Sequence, residues 1–155
     1  MAFENYGEIM KHIKITTHIP GKSPAEVWEN FDRELLDKLN PPYVSAKLLR
    51  YDGNNPGDEV HLQLNFILFK QNWISIITDN NSSEGHYEFI DEGRQLPFFL
   101  KSWKHRHVIT AYHNGTNIVD DIHFSTGSLI SDLLLYPVLY LQFWYRKPVY
   151  RKVFK

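Results

Sequence analysis

Hydrophobic and polar positions alternate along HIKITTHI, residues 12–19: Ile13, Ile15, Thr17 and Ile19 on one side, His12, Lys14, Thr16 and His18 on the other. A two-residue period predicts a half-buried strand. The period then lengthens. In KSPAEVWENFDRELLDKLNPP, Val27, Trp28, Phe31, Leu35 and Leu39 recur at helical spacing. Ser23 predicts an N-cap, Pro24 fits the first helical position, Glu26 completes a capping box, and Pro41-Pro42 end the helix. A bend near Arg33 would divide the segment into two short helices. Six strand-like runs follow, at 44–51, 59–68, 72–79, 86–91, 102–112 and 117–124, with turn signals at Asp52-Gly53, Pro56-Gly57, Asn80-Asn81 and Asn114-Gly115. Links this short predict an antiparallel meander. From Leu129 to Tyr145 the chain is apolar except for Ser131, Asp132, Pro137 and Gln142. That run is shorter than the roughly 20 apolar residues a membrane span needs, and it is interrupted. It predicts a long helix buried by the rest of the domain, with a kink permitted at Pro137.

The order is strand, one or two short helices, six strands, long C-terminal helix. It predicts an α+β fold in which a curved seven-stranded antiparallel sheet wraps around the last helix as a single domain over residues 1–155. A gap between sheet and helix is a natural place for a pocket. With Asn114-Gly115 as a two-residue hairpin loop, Ile109 faces Asp120 and His107 faces Ile122. One face then carries Trp103, His105, His107, Ile109 and Ala111 beside Ile118, Asp120, Ile122 and Phe124. This is the predicted core face. Asp120 lies on it, diagonal to His107, and a carboxylate in an apolar setting needs a partner. A His107–Asp120 contact is the economical expectation.

Composition sharpens this picture in three respects. Aromatic residues make up 15% of the chain, which suits a lined cavity or a thick core. Lys plus Arg number 17 against 18 Asp plus Glu, so no global field draws nucleic acid or a charged membrane. The absence of cysteine removes disulfides, thiolate metal sites and thiol nucleophiles. The start, MAFENYGEIMKHIKI, lacks the apolar run of a secretory signal and carries Glu4 and Glu8, which predicts a cytoplasmic protein. No G-x-S-x-G, H-E-x-x-H, P-loop or G-x-G-x-x-G motif occurs.

Three readings of the inward histidines remain open. His107 and Asp120 could be a satisfied buried pair that fixes the hairpin register. The histidines could bond the polar end of an apolar ligand. His107 oriented by Asp120 could be a general base, or His105, His107 and Asp120 metal ligands; no fourth ligand is evident, and the expectation is no metal and no cofactor.

The run Trp73, Ile77-Thr78, Phe89, Asp91, Pro97-Phe98, then Trp103, His105 and His107 as W-x-H-x-H, and finally Asp120, resembles a bacterial ligand-binding branch of the START/Bet v 1-like (SRPBCC) superfamily. Leu96 stands where many relatives have Gly before Pro-Phe. The resemblance implies a helix-grip fold around a cavity for lipids, polyketides or other apolar small molecules; some members are cyclases or hydrolases. Fold does not choose among these. The expected function is therefore binding, transport or sequestration of an apolar small molecule, with a cyclase, hydratase or hydrolase using the His–Asp pair as the alternative. Ligand-binding candidates are Trp103, His105, His107, Asp120, Phe98, Phe89, Trp73 and Tyr140; His107 and Asp120 are the catalytic candidates. Arg94 reads as an exposed loop residue. The tail, with Arg146, Lys147, Arg151, Lys152 and Lys155, reads as a solvated basic end that complements the helix dipole, with contact to an anionic membrane as the lesser reading.

Overall fold

The computed structural model describes residues 9–155; the opening segment with Glu4 and Glu8 lies outside the described residues. The elements are β1 (Lys11–Pro20), α1 (Pro24–Glu29), α2 (Arg33–Lys38), β2 (Ala46–Tyr51), β3 (Glu59–Asn65), β4 (Lys70–Ser83), β5 (His86–Gln95), β6 (Ser102–Tyr112), β7 (Gly115–Ser125), α3 (Leu129–Trp144) and α4 (Arg146–Val153). All seven strands form one antiparallel sheet in the order β1-β7-β6-β5-β4-β3-β2. Register shifts at Leu48/Arg50 in β2 and at Ile74/Ser75 and Ile77/Asp79 in β4 bend those strands. The sheet curls around the C-terminal helices.

The segment after β1 is two helices because it contains two caps. Glu26 N donates to Ser23 Oγ at 3.3 Å while Ser23 N donates to Glu26 Oε2 at 2.8 Å, a closed capping box for α1. Asp32 then accepts from Leu35 N at 2.9 Å and starts α2 afresh. Between them the Phe31 carbonyl accepts from Tyr51 Oη at 3.1 Å and Asn54 Nδ2 at 2.8 Å, which ties the junction to the β2–β3 hairpin.

Strand ends differ from the sequence expectation where tertiary pairing overrides a turn signal. Asn80 and Asn81 lie inside β4, opposite Phe89 and Glu88, and the turn falls at Gly85 with φ +71°. β3 stops at Asn65, because Phe66 N bonds Phe69 O at 2.8 Å and makes residues 66–69 a turn. β5 continues to Gln95, so Arg94 is a strand residue whose guanidinium pairs with Glu59.

The β6–β7 hairpin keeps its expected inward face but is displaced by two residues. Tyr112 pairs with Gly115, Ile109 with Ile118, His107 with Asp120 and His105 with Ile122. His113 and Asn114 form the loop, with His113 at φ +48°. Gly115 is not free to serve the turn, since a Cβ there would sit 2.2 Å from the Ile19 carbonyl oxygen of β1. Close approach between backbones, rather than turn geometry, requires glycine at this position. Ala111, expected inside, is exposed near the hairpin tip.

The C-terminal segment runs through Pro137 and breaks only at Tyr145, between α3 and α4. Its inner face carries Asp132, Leu139, Phe143, Arg146, Tyr150 and Phe154, at helical spacing. The expectation of a wholly buried helix does not hold: Leu129, Ile130, Leu133, Leu134, Val138 and Leu141 are exposed, because the sheet covers only one side of α3. No helix among the described residues is long and apolar enough to cross a membrane. Two apolar clusters anchor the helices. Ile13, Ile15, Trp103, Ile122 and Phe124 hold Leu139 and Phe143 at one end, and Ile19, Val27, Phe31, Ile109 and Ile118 hold Tyr150 and Phe154 at the other.

Gly115→Ala should destabilise the fold by about 2 kcal/mol, since the methyl group can be housed only by parting β1 from β7. Urea denaturation reads this directly, and a loss below about 0.5 kcal/mol would show that the two strands have slack.

Candidate functional site

Between the two clusters lies a cavity bounded by α2, by β2 through β6 and by the inner face of the last helices; the centre of a water-sized sphere can move through about 120 Å3 of it. This is roughly ten times the room one water needs. Most of the wall is apolar, from Leu35 and Leu39 on α2 through Leu62, Leu64 and Ile77 to Leu139 and Phe143. Asp32, Asn40, Asn54, Ser75 and Gln142 interrupt it, and where β5 and β6 pass under Arg146 the wall carries Asp91, His105 and His107 together.

Period-two alternation on β6 puts His105 and His107 on one face, their rings 3.6 Å apart. Asp91 of β5 is directly opposite His105, and Asp120 of β7 is directly opposite His107. The hydrogen bonds run along the diagonals instead. His105 Nε2 lies 3.0 Å from Asp120 Oδ1, and His107 Nε2 lies 2.8 Å from Asp91 Oδ2. The directly opposed contacts are longer, 3.5 Å for His105 Nδ1 to Asp91 and 4.0 Å for His107 Nδ1 to Asp120. The expected His107–Asp120 bond is thus replaced by a crossed pair in which Asp120 serves His105. Its remaining capacity goes to α4: Arg146 Nη1 donates to Asp120 Oδ1 at 3.0 Å, and Tyr150 Oη lies 3.5 Å from Oδ2. Asp91 is held in turn by Trp103 Nε1–H at 3.2 Å and by a bond from Ser75, which itself accepts from Trp73 Nε1–H at 3.2 Å.

These partners set the charges. Burial alone would raise the Asp120 pKa, but Arg146 and His105 outweigh it and leave it lowered to about 2. Asp91 is likewise pressed upward by burial and brought below the ordinary carboxylate value by His107 and His105. His107 is pushed down to about 4, by burial first and then by the neighbouring His105, against the pull of Asp91. Near neutrality both carboxylates are ionised and His107 is neutral. An ionised Asp91 can only accept, so the His107 proton sits on Nε2 and Nδ1 carries the lone pair. His107 Nδ1 and Arg146 Nε are buried and lack hydrogen-bond partners.

Asp91, His105 and His107 offer ligand atoms within 4.8 Å of one another. The two imidazoles, however, overlap at 3.6 Å with only 34° between their planes. In-plane lone pairs of rings stacked this way run nearly side by side instead of converging on one ion, so the arrangement favours carboxylate hydrogen bonds over chelation.

Of the residues expected from the sequence, Trp73, Phe89, Trp103, His105 and His107 are on the cavity wall. Asp120 stands behind His105 and is 1% exposed, too deep to touch a ligand. Phe98 and Tyr140 face outward, 69% and 40% exposed, because the Pro97 turn and the outer side of α3 point away from the sheet. Arg146 is the residue sequence reasoning misplaced. It is no part of a solvated tail but the partner of Asp120, with its guanidinium 4.3 Å above the Phe143 ring. The spacing Leu139, Phe143, Arg146, Tyr150 already described one helical face and was the available signal.

No family model and no curated protein sequence matches this chain. Solved structures match it over almost its whole length. Protein Ms6760 from Mycobacterium smegmatis aligns with TM-score 0.64 at 15% identity, covering 94% of this chain and 95% of that one. The Zhui aromatase/cyclase from Streptomyces sp. R1128 aligns with TM-score 0.68 at 13% identity, covering 94% of both chains. Norcoclaurine synthase from Thalictrum flavum, in complex with dopamine and hydroxybenzaldehyde, aligns with TM-score 0.59 at 12% identity, covering 91% of this chain and 87% of that one. The chain therefore has the helix-grip architecture, a seven-stranded antiparallel sheet curled over a long C-terminal helical segment. It is the fold of the START/Bet v 1-like superfamily, and at these identities the likeness is one of fold.

Two outcomes test the site's electrostatics. Asp120→Ala strands Arg146 in the core and should cost about 3 kcal/mol in urea denaturation; a change below about 1 kcal/mol would mean that Arg146 finds water instead. Lowering pH from 6.5 towards 4 should destabilise the protein, because the unfolded chain takes up a proton at His107, of ordinary pKa 6.5, that the folded chain refuses until about 4. The contribution of Asp120 is lost only later, between its ordinary 3.8 and about 2. His107→Gln should flatten the upper window of a plot of thermal midpoint against pH, and an unaltered slope would assign that proton elsewhere.

Proposed function

We propose that this protein binds an apolar small molecule with one polar, hydrogen-donating end in the cavity between sheet and helix. One observation carries the reading: in a mostly apolar chamber, the corner under Arg146 holds two buried polar atoms, His107 Nδ1 and Arg146 Nε, that have no partner. A buried polar group without a partner is costly, and a ligand hydroxyl or amine that reaches His107 would remove that cost. The charges select further. The His107 lone pair accepts and does not donate, so the corner suits a neutral hydroxyl rather than a carboxylate end. Trp73, Phe89 and Trp103 offer aromatic surface beside it, which favours a planar body. The similar fold that holds dopamine and hydroxybenzaldehyde accommodates hydroxylated rings of this kind.

The test compares naphthalene with 2-naphthol, which share a body and differ by one hydroxyl, through quenching of tryptophan fluorescence. Both should bind, 2-naphthol about fivefold to tenfold more tightly. Leu62→Trp should fill the chamber and abolish both. His107→Leu should erase the preference while leaving naphthalene binding in place. Failure of either compound to bind at its solubility limit, or binding indifferent to Leu62→Trp, would count against the cavity as the site. Native mass spectrometry of gently purified protein, followed by extraction, then identifies the natural occupant.

A further inference from the structure

The face of α3 turned away from the sheet is a second feature of the molecule, and it owes nothing to the cavity. Its exposed positions are Leu129, Ile130, Ser131, Leu133, Leu134, Pro137, Val138, Tyr140, Leu141 and Trp144. At 3.6 residues per turn they occupy about half of the helix circumference, without one charged side chain. The only charge in α3 is Asp132, which is buried and accepts from Thr126 N at 2.6 Å. This apolar face continues off the helix. Leu134 and Val138 share a groove with Phe98 and Phe99. Phe98 in turn touches Phe66 and Phe69, with ring centroids 5.9 Å apart in both contacts. At the tip of that β3–β4 turn, Ile67 is 102% exposed and Leu68 91%.

We propose that this surface docks onto a lipid bilayer, with Ile67 and Leu68 inserted and the outer face of α3 lying along the interface. Three observations choose a bilayer over a second copy of the chain. The turn tip projects: two aliphatic side chains stand clear of every neighbour, a shape suited to penetrating a fluid phase. Among the described residues 65–71, 95–100 and 129–145, which build the surface, the only charged side chains are Lys70, at the foot of the projecting turn, and the buried Asp132. A lysine beside an inserted apolar tip meets lipid phosphate with its ammonium while its stem lies along the hydrocarbon. The third is the aromatic end of α3: Tyr140 and Trp144, partly exposed, are residue types that settle at the headgroup boundary.

The inference does not depend on what the cavity holds, so it is tested without a ligand. The full chain is sedimented with vesicles of phosphatidylcholine and phosphatidylglycerol, and its mass in solution is measured by analytical ultracentrifugation. The expected result is a monomer that co-sediments with the vesicles. Ile67→Asp with Leu68→Asp, and separately Leu134→Asp with Val138→Asp, should each lower the partition coefficient at least about tenfold, since each pair removes two inserted side chains. All four positions are exposed, so an unchanged thermal midpoint certifies the fold of each variant. An intact protein that stays in the supernatant overturns the proposal. So does vesicle binding unaffected by both variants, or a dimer that Leu134→Asp with Val138→Asp converts to monomer.

Discussion

The ion pair between Asp120 and Arg146 joins the two halves of this molecule. Asp120 stands on β7 and Arg146 begins α4, and their contact at 3.0 Å is the charged link between the curled sheet and the helix it grips. A pair so buried is held by more than attraction. His105 and Tyr150 take the remaining approaches to Asp120, and Phe143 lies beneath the guanidinium. Such a pair adds little net stability over an apolar substitute, but it penalises every packing in which one partner meets no other. Sliding the helix by one turn would strand both charges, so the pair fixes the position of α3 and α4 along the sheet and, with it, the height of the cavity.

From Asp120 the order extends across three strands. His105 passes it to the adjacent His107, His107 to Asp91, and Asp91 to the indole of Trp103, so one side of the chamber is a connected polar layer and most of the rest is hydrocarbon. The layer is fully employed except at its edge. Its carboxylates stay ionised because cations and N–H donors face them, and His107 stays neutral because burial and His105 act in the same direction on it. A chamber of this kind orients whatever enters.

Much of this was legible in the sequence. The alternation of β1, the capping box at Ser23, and the inward set from Trp103 to Phe124 all follow from side-chain period and cap chemistry, which are local. What escaped was tertiary. The hairpin register turned on Gly115, whose value lies in the carbonyl of Ile19, a residue far away in sequence. The partner of His107 turned on Asp91, which a different strand supplies at a diagonal. Arg146 read as part of a basic tail because its neighbours Lys147, Arg151 and Lys152 are charged too; only the helical phase separates it from them. Apolar content likewise predicted a buried α3, although composition cannot say how much of a helix a seven-stranded sheet covers.

The separate cap at Asp32 bears on the shape of the chamber. Leu35, Leu36 and Leu39 of α2 form part of the wall, while the junction just before them is pinned at the Phe31 carbonyl. Had the two helices been one, this part of the wall would have followed the axis of α1. With its own cap, α2 takes its own direction, and Leu35 and Leu39 enter the same core that holds Tyr150 and Phe154. One aspartate thus shapes a wall of the chamber.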